Sequence, residues 1–374
     1  MRRGIVLILV CLLVSLSGKA EEYYKLEKLR DDIAAELPNG WQEKIETQWR
    51  TVEIDTQVIV PDAERMPILA LRAVQEPPEV PTGLETGWTQ VQGQKGGGVS
   101  MTHASAPDMP DFDKMKCASQ HYYAPVDMSM PLEDFGNRTL QALSDELMAA
   151  VESVNQGKHA WDTAHPYDVM VNTYTDPKTR ATYQGYVNFL AYESFCGIPL
   201  IRHIGYFLPW DLPNWSGRIT WNGMLMGIDP YGGGRFTYQG RVCKVLQEDV
   251  PLVGFSKVQS ALRREVEAGH IRKILCLQLG YTAFDLQDDP EGYTGVACPI
   301  WYAQVWWTHQ GRDRLKDEEA DYPTNAYGRL EYARIAIDAQ TGEIISAAGS
   351  TVRGWKRIKG IEVYQGSLTW EDVQ

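Results

Sequence analysis

The side chains able to do chemistry here are seven histidines, six cysteines, a short acidic run and a set of tryptophans. None of the histidines (His103, His121, His159, His165, His203, His270 and His309) falls in H-E-x-x-H or another metal-binding spacing. His159 and His165 flank Trp161, with Asp162 and Asp168 close by. That grouping is either a metal or acid/base site or a solvated loop, and the loop is the better reading. The run Asp285-Leu-Gln-Asp288-Asp289-Pro-Glu291-Gly292 faintly resembles a calcium loop. Pro290 stands where the sharp glycine turn is needed, and no acid occupies the twelfth position. Ser194 and Ser216 lack the small-x-Ser-x-Gly elbow of hydrolases. Gly96-Gly97-Gly98 is followed by neither Lys-Ser nor Lys-Thr, so it is no phosphate loop. The reading expects a protein that is not an enzyme: no catalytic residue, no cofactor and no metal site is assigned.

Two constellations remain. Trp210, Trp215 and Trp221 crowd a Pro/Gly-rich stretch in a chain of 12 tryptophans. Such rings pack a core, or stack on sugars or a protein partner. The five cysteines after the leader (Cys117, Cys196, Cys243, Cys276 and Cys298) include no C-x-x-C pair, so neither zinc nor thioredoxin-like chemistry is supported. If 271–281 and 296–308 pair as a hairpin, Cys276 and Cys298 become candidate cross-strand neighbours and a candidate disulfide.

The elements that must position these groups follow from periodicity. Leu26, Leu29, Ile33 and Leu37 have helical spacing, and Pro38-Asn39-Gly40 stops that segment. Val52, Ile54, Val58 and Val60 read as a half-buried strand, with Pro67–Ala73 pairing back on it. Residues 76–131 are Pro- and Gly-rich and predict long loops with short strands. Leu132, Phe135, Leu140, Leu143, Leu147 and Val151 fall on one face of a helix over 132–153. Strands are expected at 168–174, 182–195, 200–207, 218–228 and 235–238. A second helix opens at Ser256, where Ser256-Lys-Val-Gln259 fits a capping box, and Gly269 ends it. Strands follow at 271–281, 296–308, 330–338 and 343–347. In the first of these, Ile271, Leu275, Leu277 and Leu279 share the core face. Two turns look alike: Gly227-Ile-Asp229-Pro-Tyr-Gly-Gly-Gly234 and Ala336-Ile-Asp338-Ala-Gln-Thr-Gly342-Glu. In each, Asp can accept hydrogen bonds from the turn backbone and Gly supplies positive φ. They point either to an internal duplication or to two common hairpins.

The segment Ile335-Ala-Ile-Asp338-Ala-Gln-Thr-Gly342-Glu-Ile-Ile-Ser346 resembles the I-D-A-x-T-G-E-I hairpin of PepSY-like domains. Leu279-Gly280-Tyr281, Cys298-Pro-Ile-Trp301 and Phe195-Cys-Gly-Ile-Pro199 sit around it as in YycI-like extracytoplasmic proteins of Gram-positive bacteria. The resemblance covers roughly residues 132–350. It implies an α+β fold of two repeated helix-on-antiparallel-sheet units and a regulatory association with a sensor kinase system. It implies no catalytic residues. The expected organisation is a signal peptide (1–20), an N-terminal helix and β region with long loops (21–131), a first unit (132–250) and a second unit (251–374).

Location and partners follow from charge and the N-terminus. Arg2 and Arg3 precede an apolar run over Ile5–Leu16, and Gly18-Lys19-Ala20 offers a small-x-small cleavage site. The run is short of the ~20 residues a spanning helix needs, so release after Ala20 is favoured over retention as an anchor. Lys19 stands where a lipobox would carry cysteine. The 374 residues carry a net charge of −13. Loss of the leader removes three cations (Arg2, Arg3 and Lys19) and no acid, leaving 33 against 49, a net of −16. That balance disfavours nucleic acid and anionic lipid as partners. The expectation is therefore an extracytoplasmic protein, secreted or envelope-associated, with no transmembrane span in the mature chain. It would bind an envelope or membrane protein, or alternatively cell-wall glycan through Trp210, Trp215 and Trp221.

Overall fold

The computed structural model describes residues 23–48, 50–73, 88–90, 99–105, 111–123, 126–155, 160–162, 168–201, 223–238, 240–287, 291–293, 295–307, 331–346 and 368–369. The fold is α+β and mostly β, with three α-helices among the described residues. In chain order these are α1 (Leu26–Glu36), β1 (Trp41–Glu46), β2 (Thr51–Ile59), β3 (Ile68–Ala73), β4 (Trp88–Gln90), β5 (Val99–His103) and β6 (Lys116–Tyr123). Next come α2 (Leu140–Asn155), β7 (Asp168–Thr175), β8 (Thr182–Phe195), β9 (Ile198–Pro199), β10 (Gly223–Ile228), β11 (Gly234–Tyr238) and β12 (Arg241–Gln247). The chain continues with α3 (Phe255–Glu267), β13 (Ile271–Gln287), β14 (Gly295–Trp307), β15 (Glu331–Asp338) and β16 (Ile344–Ser346).

Two sheets result. The first runs β4-β5-β11-β10-β8-β7-β6, with β9 and Ala160–Asp162 also on β8. The second runs β12-β3-β14-β13-β2-β1, with β15 on β14 and β16 on β15. Helix α2 buries Leu140, Leu143, Leu147, Val151 and Val154 against Val187, Phe189, Ala191, Met224, Met226 and Phe236 of the first sheet. Five such side chains, each worth about 2 kcal/mol on burial, hold a helix that would be marginal alone. Helices α1 and α3 bury Leu26, Leu29, Ile33, Val258, Leu262 and Val266 against the second sheet.

The other faces of the two sheets meet. Tyr192 of β8 and Ile201 pack against Ile300 and Tyr302 of β14 and Ala336 of β15. Where they meet the order is helix, sheet, sheet, helix. The opposite face of β13 and β14, which carries polar side chains, is therefore buried: Cys276, Gln278, Thr282, Tyr302 and Gln304 are all in the interior.

Several expectations need correction. The helix over 132–153 begins only at Leu140; Leu132 and Phe135 reach the same core from a short strand and a 3-10 turn. Gly136 and Asn137 take φ of +66° and +59°, which no α-helix accommodates. Ser256 lies inside α3, whose N-cap is Gly254, so there is no capping box. A register shift between Ile274 and Cys276 puts Ile274 in the core and leaves Leu275 half-buried. β3 does not fold back on β2; it pairs with β12 and β14. The sheets also cut across the expected boundaries at 131 and 250. Strands from 88–123 complete the first sheet, while β1–β3 and β12 complete the second. Pairing between strands distant in sequence satisfies their backbone groups, and it leaves no trace in a local pattern.

Candidate functional site

β8 is 14 residues long and belongs to both cores. Val187, Phe189 and Ala191 lie in the first. Phe195, followed by Ile198 and Leu200, lies in the second. Glu193 stands at the crossing. Its carboxylate accepts the Arg241 backbone N–H at 2.9 Å and the Arg241 guanidinium at 3.0 Å. The two side chains are only 1% and 4% exposed. Burial pushes the Arg241 guanidinium down from its ordinary range, and Glu193 opposes that shift. The pair joins the end of a first-sheet strand to the edge strand of the second sheet.

Beyond Glu193 the chain turns through Cys196 and Gly197 at φ of +54° and +78°. Phe195 and Ile198 close the turn as a two-residue hairpin. Positive φ at both central positions favours Asn-Gly or Gly-Gly, so cysteine is an unfavourable occupant. Past the turn, the Ile201 N–H donates to the Tyr281 carbonyl of β13 at 2.8 Å. The Tyr281 hydroxyl is buried and has no hydrogen-bond partner among the described residues. Burial pushes it well above the usual phenol range, and Cys196, Cys298 and Cys243 are its electrostatic neighbours.

The sequence candidates fare differently. Cys276 and Cys298 are both buried free thiols. Cys276 pairs in register with Gln304, and Cys298 with Thr282. Six residues of strand separate Cys276 from Thr282, or about 20 Å, so the expected Cys276–Cys298 disulfide is excluded by register. Burial alone pushes the Cys276 thiol up to about 12. Trp210, Trp215, Trp221, His159 and His165 lie outside the described residues, as do Met1–Ala20. Among the described residues no group of three or more His, Cys, Asp or Glu is placed to hold a metal ion. None of their helices is long and apolar enough to cross a membrane.

The two similar turns are the same device in opposite sheets. Asp229 accepts the N–H groups of Tyr231 and Gly233 at 2.7 and 3.0 Å, plus the Ser105 hydroxyl at 2.5 Å. Asp338 accepts the N–H groups of Gln340 and Thr341 at 2.7 and 3.2 Å. Burial pushes the Asp338 carboxyl up to about 6, although those two amides hold it down. A carboxyl with a folded value above its unfolded one favours the folded state when protonated. That contribution is present near pH 4 and is lost as pH rises through about 6. Asp338→Asn keeps an acceptor for the amides and removes the charge. It is expected to stabilise the protein at pH 7.5 by about 1–3 kcal/mol, with the gain vanishing near pH 4. Denaturation midpoints across pH measure this; parallel curves for parent and variant would contradict it.

The sheet edges are the remaining surface of interest. β1 pairs only with β2 among the described residues, and it is charged: Glu43, Lys44 and Glu46 occupy three of its six positions. Charges blunt an edge against further pairing. β6, Lys-Cys-Ala-Ser-Gln-His-Tyr-Tyr, pairs with β7 over all eight residues and, among the described residues, with nothing on its other side. It has one charged residue, Lys116, and no proline. Beside that end, Phe112 stacks on Tyr174 with ring centroids 4.3 Å apart, and Tyr231 lies 6.3 Å from Phe112. Lys116, Cys117 and Ala118 are exposed.

No protein-family model matches this chain, and no curated protein does. Among solved structures it is similar to an uncharacterized protein from Eubacterium rectale, with 13% identity and a TM-score of 0.46. The match covers 86% of this chain and 98% of that one.

Sequence reasoning missed the Glu193–Arg241 pair and the β6 edge. A single acid inside the apolar stretch Tyr186–Phe195 is the signal that would have found the first. No local signal marks the second, because an edge is defined by which strand is absent beside it.

Proposed function

We propose that this chain is a non-enzymatic extracytoplasmic interaction protein that takes a segment of an envelope or membrane protein as an added strand on β6. The carrying observation is the long, sparsely charged edge of β6, with an aromatic platform at one end. Its outward amides and carbonyls would supply affinity, and the alternating side chains of the added strand would supply selectivity. In this reading the two sheets with their helices are repeated PepSY- or YycI-like units. The matched Asp229 and Asp338 turns and the helix against each sheet support it. A leader over Met1–Ala20 supports the extracytoplasmic placement.

Proline tests the edge. Successive strand N–H groups point to opposite sides, so of Ala118→Pro and Ser119→Pro one removes an outward donor and the other a ladder bond to β7. The variant that keeps the parental melting temperature is expected to lose capture of a discrete solubilised membrane protein by about tenfold or more. Parental capture by that variant would refute the edge. Retention on insoluble wall material, abolished by Trp215→Ala, would favour the glycan alternative.

A further inference from the structure

We propose that Cys196 and Cys243 are a redox-active pair that forms a disulfide across the junction of the two sheets. The Glu193–Arg241 contacts fasten the end of β8 to the start of β12 at 2.9 and 3.0 Å. Cys196 follows Glu193 by three residues, in the turn that brings the chain back. Cys243 follows Arg241 by two residues, so strand alternation places it on the same face as Arg241. Both thiols are exposed. Burial, and then the neighbouring Cys196, push the Cys243 thiol up.

Three further observations single out this pair. Tyr281 is fully buried, its hydroxyl has no hydrogen-bond partner among the described residues, and Cys196, Cys298 and Cys243 are its electrostatic neighbours. Cys196 occupies a positive-φ position that disfavours its side chain. Among the other described cysteines, Cys117 lies in β6 opposite Tyr174, and Cys276 and Cys298 are buried and far apart from each other in register. The inference stands apart from the β6 reading, because no residue is shared between them.

The chemistry balances with a disulfide as the oxidant. One thiolate attacks an oxidised low-mass disulfide, such as oxidised glutathione, forming a mixed disulfide and releasing one thiol. The second thiolate displaces the other thiol and forms the Cys196–Cys243 bond. The protein gives up two electrons and two protons, and the oxidant becomes two thiols. The bond would fasten the β8–β9 turn to β12 and lock the sheets together.

The test treats the full chain with oxidised glutathione, alkylates the remaining thiols and maps peptides without reduction. The expected result is a mass loss of about 2 Da and one cross-linked peptide joining Cys196 to Cys243, with Cys117 alkylated. Oxidised protein should melt roughly 5 °C or more above the reduced form, and dithiothreitol should remove the gain. Cys196→Ser and Cys243→Ser should each abolish both effects. Mixed glutathione adducts without a cross-link, a different pairing, or two alkylated thiols at 196 and 243 would overturn the proposal. The mapping uses the unsubstituted chain, so a variant that fails to fold does not decide the result.

Discussion

Replacing Glu193 by Gln is expected to destabilise the protein by about 3–5 kcal/mol. The substitution keeps an oxygen acceptor for the Arg241 N–H and changes little in volume, so what it removes is charge. Arg241 is then left with its guanidinium in the interior, 4% exposed, without the carboxylate that compensates it. Two charges on an exposed surface would be worth less than about 1 kcal/mol together. Here water is nearly excluded, and the cost falls on whichever partner remains. The paired change Glu193→Leu with Arg241→Met should recover most of the loss, because neither charge is then stranded. Urea denaturation of Glu193→Leu, Arg241→Met and the paired variant forms the double-mutant cycle. A single-variant cost below about 1 kcal/mol would mean that the pair is solvated and does not fasten the sheets.

Trp301→Ala should cost a similar amount, about 3–5 kcal/mol, through a different mechanism. Trp301 is fully buried on β14, with its ring 5.0 Å from Phe255 of α3. Phe255 in turn meets Trp41 of β1 edge-on at 6.4 Å. This chain of rings adds to the aliphatic stripe through which α3 grips the second sheet. The Trp41 indole donates to Glu43 at 2.8 Å, and Arg263 of α3 donates to the same Glu43 oxygen at 2.9 and 2.8 Å. Alanine empties a large volume that a sheet held on both faces cannot collapse to fill. Trp301→Phe should cost about half as much or less. It fills most of the space and removes an indole N–H that has no hydrogen-bond partner among the described residues. Equal costs for the two variants would contradict the cavity account.

Legibility in the sequence followed how local each cause is. The strand Thr182–Phe195, the α1 stripe, the end of α3 at Gly269 and both Asp turns were readable, because each rests on neighbours within a few residues. The start of α2 was misread because Leu132 and Phe135 continue the helical spacing; they reach the core through a turn with positive φ. The Cys276–Cys298 expectation failed for a similar reason. The hairpin itself is present, but in its register Cys298 faces Thr282, six residues from Cys276, and no side-chain pattern announces that register. The polar side chains Gln278, Tyr302 and Gln304 on one face of β13 and β14 give no sign in the sequence that a second sheet covers them. Glu193 and the β6 edge depend wholly on long-range assembly. Glu193 was visible only as an oddity in an apolar run, and the edge was not visible at all.

The proposal that β6 accepts a partner strand is tested most directly by amide hydrogen exchange over Lys116–Tyr123, with and without the solubilised membrane fraction. Added partner should slow exchange at alternate amides of that strand, those facing away from β7, and leave the β7-facing amides as they were. Unchanged exchange along β6 while the chain is bound, with protection appearing elsewhere, would contradict the account.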